Sequence, residues 1–270
     1  MHILKGYTKQ EISWMMYDWA NSAHSVIIVT LLPIFFDTVA GYTADSVSSM
    51  STWGYATSIA MLIVALAAPF LGVFGDIRGM RKKLFSFFML LGVAACAGMA
   101  FTPGMDFTSG PVAAGKVASL ILVLYIVSVI GFDASAIYYD AFLTDVTTED
   151  RMDKVSTMGY GLGYIGGSTI PLLIFLIMNL VGVPMLTCLA FVFGLTAVWW
   201  LAFSLPLLKN CEQTSGKPYE KGDVARSIKG VGTTIKEIIA NKPMLIYILS
   251  YFFYIDGVHT VISMATTYGT

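Results

Sequence analysis

Seven stretches of about twenty residues, nearly free of charge, limit what this chain can fold into. They run over 14–36, 53–74, 84–102, 117–139, 157–181, 184–208 and 243–268, and four of them (the second, third, fifth and sixth) hold no Asp, Glu, Lys, Arg or His. About twenty apolar residues in a helix cross about 30 Å of hydrocarbon. Inside lipid only helices and closed barrels satisfy every backbone polar group. Barrel strands would read as alternating segments of about ten residues, and these stretches are too long and too uniformly apolar for that. Charged residues make up 12% of the chain, half the usual share in a soluble domain. The first stretch is also too long for a cleavable signal, has no Lys or Arg close before it, and carries Asp18, Asn21 and His24. The expected class is therefore all-α and integral to the membrane.

The basic residues orient it. With the N-terminus placed in the cytoplasm, fifteen of the 16 Lys and Arg residues fall in inner segments and only Lys116 falls outside, as the positive-inside rule requires. Trp14, Trp53, Trp199 and Trp200 lie near span ends, where an interfacial aromatic belt is expected. Cys96, Cys188 and Cys211 are scattered and suggest neither a disulfide framework nor a metal site.

Organisation follows in three parts: six spans over 1–208, a basic cytoplasmic connector over 209–242, and a seventh span over 243–270. In the connector, Val224, Ile228, Val231, Ile235 and Ile238 recur at helical spacing, with Arg226, Lys229 and Lys236 off that stripe. Two readings stand: an amphipathic helix on the anionic inner leaflet, or a helix packed on the cytoplasmic face of the bundle. His24-Ser-Val-Ile-Ile in span 1 and His259-Thr-Val-Ile-Ser in span 7 each follow an acid, a trace of an internal repeat. Repeated halves are common in secondary carriers.

Polar groups inside spans are expensive and mark candidate sites. Asp18, Asn21, Ser22 and Ser25 share one face of span 1, with His24 slightly rotated from it. His24 is either a proton or substrate ligand or an interhelical hydrogen bonder. Asp133 lies about 24 Å along span 4 from Lys116, and Asp140 lies seven residues further on the same face. Asp256 and His259 sit in span 7, Asp256 near mid-membrane as the best single candidate for coupling or substrate binding. After span 2, Gly72, Asp76, Gly79 and Arg81 form a turn of the kind that makes and breaks contacts between conformations, with Asp140 and Asp145 assigned to the same cytoplasmic network. In span 5, Gly159, Gly163 and Gly167 form two overlapping G-x-x-x-G steps that permit close helix contact, and Pro171 is expected to kink the span. Gly161, Gly163 and Gly166 match G-x-G-x-x-G, but no strand precedes them, so dinucleotide binding is rejected.

The loop Gly72-x-x-x-Asp76-x-x-Gly79 resembles the cytoplasmic signature of the major facilitator superfamily, although Arg78 and Met80 depart from its usual basic positions. Residues 17–23 (Tyr-Asp-Trp-Ala-Asn-Ser-Ala), 156–167 and 254–260 are similar to the vacuole-effluxer-like branch, related to autophagy-associated vacuolar amino-acid exporters. Asp140 stands where that family often has Asn. The resemblance implies the N-terminal six-helix half of a major-facilitator-type bundle plus the first helix of a second half. It also implies a secondary active transporter of a small solute such as an amino acid, working by alternating access with proton coupling. Family members have about twelve spans, so a missing second half is expected: a gene fragment, a split carrier or a truncation. The competing reading is a non-transporting fragment or subunit.

The implied partners are a small solute, membrane lipid and protons, with no cofactor, metal or nucleic acid. The location is the cell membrane in a prokaryote, or a vacuolar or other endomembrane in a eukaryote. No H-E-x-x-H, G-x-S-x-G or P-loop supports an enzyme or ATP-driven pump. A seven-helix receptor would need the opposite orientation, and span 7 carries no Lys for a retinal Schiff base.

Overall fold

The computed structural model describes residues 5–43, 49–216, 218 and 223–269; for 223–228, 259 and 262–269 it describes the backbone alone. All regular structure among the described residues is helical. The helices are α1 (Lys9–Ala40), α2 (Ser49–Gly75), α3 (Arg81–Met99), α4 (Pro111–Val146), α5 (Met152–Leu162), α6 (Thr169–Leu180), α7 (Met185–Asn210), α8 (Asp223–Ala240) and α9 (Lys242–Gly269). A π-helical segment, Gly163–Ser168, joins α5 to α6 into one span. The first six apolar stretches each lie in one helical segment long and apolar enough to cross a membrane, and the seventh lies in α9.

Local chemistry sets those ends. Thr8 and Glu11 form a reciprocal capping box that satisfies orphan amides at the start of α1. Gly79, at φ +79°, turns the chain between α2 and α3, a conformation that Gly adopts without steric cost. Pro111 opens α4, where its missing N–H would be unpaired in any case.

The bundle is built around α1, whose apolar stretch is 56% buried against 11% for α2. α1 packs on α4, α7 and the π segment, while α3 packs on α4 and α7. The basic residues of the loops lie at one end of the bundle, called here the basic end. Two lone glycines fix the α3–α4 approach: a Cβ on Gly131 would sit 2.5 Å from the Gly92 nitrogen. Closely spaced small residues are how membrane helices gain contact without a hydrophobic drive between them.

Two sequence expectations change. The tryptophans are not a belt: Trp14, Trp53 and Trp200 are 3%, 2% and 0% exposed. Their rings fill the core, and Trp14 stacks on Tyr139 at 4.3 Å while its Nε1–H donates to the Tyr139 carbonyl at 2.9 Å. An indole can satisfy its one donor inside the bundle and gains packing area by doing so. The distortion of span 5 falls one turn before Pro171, at Gly163–Ser168. Pro171 has no N–H for the Gly167 carbonyl, and the Thr169 hydroxyl donates to the Tyr164 carbonyl at 2.9 Å within the widened turn. The connector does form a helix, α8, meeting α9 at a bend of 101°. Lys217 and Lys221 lie outside the described residues, as do the side chains of Val224, Arg226 and Ile228.

Candidate functional site

The polar face of α1 meets the glycine surface of α5. A Cβ on Gly159 would lie 2.6 Å from Asp18 Oδ2, and one on Gly163 would lie 2.6 Å from Ser22 Oγ. On Gly167 it would lie 2.3 Å from the Trp19 carbonyl oxygen, which also accepts the Trp199 Nε1–H at 3.0 Å. The three glycines thus let a carboxylate and a hydroxyl sit at a helix crossing that any side chain would close. The Ser168 hydroxyl adds a bond of 3.3 Å to the Ser22 carbonyl.

Asp18 and Ser22 are half-buried, and Asn21 is 8% exposed. From α4, Asp140 lies within electrostatic range of Asp18, and Asp133 within range of Tyr125. Asp133 is half-buried and Asp140 exposed. No Lys or Arg pairs with Asp18, Asp133 or Asp140 among the described residues. Half-buried carboxylates with no cation paired to them, Asp18 and Asp133, are unusual on membrane helices, where acids otherwise pair. Asp140 was expected in the basic-end network; it makes no ion pair with Arg81 there, although the carbonyl of the next residue, Ala141, accepts from Arg81.

His24 does not join these acids. It is 3% exposed, stacks on Phe132 at 4.8 Å and shares a 3.2 Å hydrogen bond with Ser128. The Ser128 hydroxyl donates to the Tyr125 carbonyl at 2.8 Å, so it accepts from His24 and the proton sits on Nε2. Nδ1 then has no partner, and an imidazolium would bury an unmatched N–H at that position. Beside it runs a polar relay across three helices. The Trp200 indole donates to the Tyr17 hydroxyl at 3.3 Å, Tyr17 to Ser135 at 2.8 Å, and Ser135 to the Phe132 carbonyl at 2.8 Å. Each donor in this chain has one acceptor, which fixes the α1–α4–α7 register.

At the basic end, Arg81 is 5% exposed. It pairs with Asp145, donates to the Ala141 carbonyl at 3.0 Å and to Ser215 at 3.2 Å, and lies 3.8 Å from the exposed Asp76 carboxylate. Asp145 also accepts from the backbone and hydroxyls of Thr214 and Ser215, at 2.8–3.0 Å. Gln213 accepts from the Gly79 and Arg81 amides and donates to the Gly75 carbonyl. The segment leaving α7 therefore straps the α2–α3 turn to the end of α4. Asp145, rather than Asp76, is the close partner of Arg81. Gly72 faces open space, so packing places no demand on it.

A second clamp joins α1 to the α4–α5 turn. Glu11 accepts from Arg151 Nε at 2.8 Å and Nη2 at 2.9 Å, and from Thr147 at 2.7 Å.

Asp256 is exposed on α9, a helix that packs on α1. The His259 side chain lies outside the described residues. Sequence reasoning passed over Glu11, Arg151, Gln213–Ser215, Ser128, Ser135 and the Gly92–Gly131 crossing. The Thr8-x-x-Glu11 box was legible, and so were two lone glycines in apolar spans. The strap was not, because its partners are separated by 132 to 138 positions or by 69 and 70. No group of three or more His, Cys, Asp or Glu among the described residues is arranged to hold a metal ion.

An all-helical, multi-pass bundle of six to seven spans, with small-residue crossings and acids on inner helices, defines half of a major-facilitator-type membrane protein. Comparison with known sequences names the branch. The family model described as "Vacuole effluxer Atg22 like" matches residues 43–270, and the chain belongs to that family. The uncharacterized MFS-type transporter YxiO of Bacillus subtilis is 40% identical over 276 residues, covering 99% of this chain and 62% of that protein. Autophagy-related protein 22-1 of Sclerotinia sclerotiorum is 27% identical over 128 residues, 42% of this chain and 21% of its own length. Its namesake in Penicillium rubens is 26% identical over 125 residues, 43% of this chain and 21% of its own length. The chain thus spans under two-thirds of the relatives it matches.

Proposed function

We propose that this chain is the N-terminal half, with the first helix of the second half, of a secondary active transporter that moves a small solute by alternating access. The solute class is amino acids, and transport is coupled to protons. The observation that carries the reading is the pair of half-buried, unpaired acids, Asp18 and Asp133, on adjoining helices. An uncompensated carboxylate inside a membrane is costly, and its retention points to proton or substrate binding. The name of YxiO as an MFS-type transporter supports the coarse class, and the effluxer description of the family supports a small exported solute.

In this reading 1–208, 209–242 and 243–270 act as first half, connector and first helix of the second half. The N-terminus faces the cytoplasm, as the bias of basic residues toward one end of the bundle supports. Gly79 and Arg81, clamped with Asp145 by the strap, form a basic-end contact that opens and closes with the cycle.

The test is uptake of radiolabelled amino acids into proteoliposomes under an imposed pH gradient. The chain is reconstituted alone and together with the missing half of a family relative. Asp18→Asn and Asp133→Asn should each lose pH-driven uptake while retaining exchange, and His24→Phe should leave both intact. Gradient-insensitive uptake would remove the proton, and no uptake in either preparation would leave the non-transporting subunit standing.

A further inference from the structure

We infer that α8 is a docking surface for the acidic headgroups of the bilayer, and that it anchors the start of α9 at the membrane surface. The elbow before α9 is built, not slack. The Asn241 side chain caps α9 by accepting the Met244 amide at 3.2 Å, the Asn241 carbonyl accepts from Leu245 at 2.9 Å, and Pro243 follows in the first turn. Asn241 N–H closes the end of α8 on the Glu237 carbonyl at 3.1 Å. The two helices meet at 101°. With α9 crossing the bilayer, this elbow lays α8 near the plane of its surface.

The exposed chemistry of α8 fits a lipid surface. Ile235 and Ile239, one turn apart, are 50% and 59% exposed, while Val231 and Ile238 are half-buried. Lys229 and Lys236 are exposed on the flank of that stripe and make no ion pair among the described residues. Isoleucines that enter the acyl boundary, with lysines beside them reaching up to phosphates, are the arrangement of an in-plane amphipathic helix. A protein groove would have to bring acids to those lysines, and no acid meets them among the described residues. α8 packs on α2 and α9, and these contacts leave Ile235 and Ile239 exposed.

The experiment places a nitroxide at Ile239→Cys in the full chain, in nanodiscs of phosphatidylcholine alone or with phosphatidylglycerol. Cys96, Cys188 and Cys211 are buried and stay unlabelled. The readout is relative accessibility to oxygen and to a water-soluble nickel chelate. The oxygen signal should dominate only in the acidic discs. Each lysine near an anionic surface contributes enough that Lys229→Glu with Lys236→Glu lowers the docked-to-free ratio by about thirtyfold or more. Raising salt from about 0.15 M to 1 M on the unaltered helix should act in the same direction, because screening shortens from about 8 to 3 Å. This salt arm holds even if the double variant fails to assemble. A label equally wet in both discs overturns the proposal. So does a label shielded from both reagents in every lipid, which would assign the stripe to a protein partner.

Discussion

Gly167→Ala is the sharpest probe of the α1–α5 crossing. Its new methyl carbon would lie 2.3 Å from the Trp19 carbonyl oxygen and 2.9 Å from Ser22 Cβ. Both obstacles are main chain or its first side-chain atom, so neither moves without its helix. Ordinary contact begins near 3.4 Å, so the spans must separate by about 1 Å, and overpacking of this kind costs about 1–3 kcal/mol. The Trp199-to-Trp19 hydrogen bond stands in the same gap, and its loss adds about 1 kcal/mol. Gly161→Ala supplies the control. Nothing lies within 4 Å of its Cβ, and Ala stabilises a helix by up to about 1 kcal/mol over Gly. Thermal unfolding in detergent, followed by tryptophan fluorescence and by the size-exclusion monomer peak, should separate the two variants in opposite directions. Equal midpoints, or a Gly161→Ala protein as damaged as Gly167→Ala, would refute the crossing geometry.

Other outcomes follow from the same contacts. Gly131→Ala should destabilise by a similar 1–3 kcal/mol or so, since its Cβ meets the α3 backbone; the same unfolding assay reads it. Asp145→Ala strands a buried Arg81 and should cost about 3–5 kcal/mol. The double variant with Arg81→Ala should recover part of that loss, and strict additivity in the cycle would deny the pairing. Burial pushes the Cys211 thiol up to about 12. At pH 8 it should therefore resist maleimide in the folded protein and react only after unfolding, as mass spectrometry of the alkylated chain would show.

Asp18 and Asp140 illustrate how far the sequence reading reached. Seven-residue spacing put Asp133 and Asp140 on one helix face, and that holds in α4. Which helix that face meets depends on the approach of α1, and that is set by the glycines of a span 140 residues away. His24 is the opposite case. Its nearness to Asp18 along the chain suggested a shared site, but a rotation of less than a turn sends it to Ser128 and Phe132 instead. Trp14, Trp53 and Trp200 were read from their positions at span ends, and position along the membrane normal says nothing about rotation toward lipid or core.

The sequence by itself determined that this is a bundle of membrane helices, roughly where each runs, and which segments carry the positive charge. Those properties depend on composition within about twenty consecutive residues and on caps within three or four. Only the tertiary structure decided which polar groups are neighbours: Tyr17 with Ser135, Arg81 with Asp145 and Ser215, Glu11 with Arg151. Each such pairing joins helices across a large stretch of chain. Its geometry depends on how close two backbones can come, which is a property of both surfaces together.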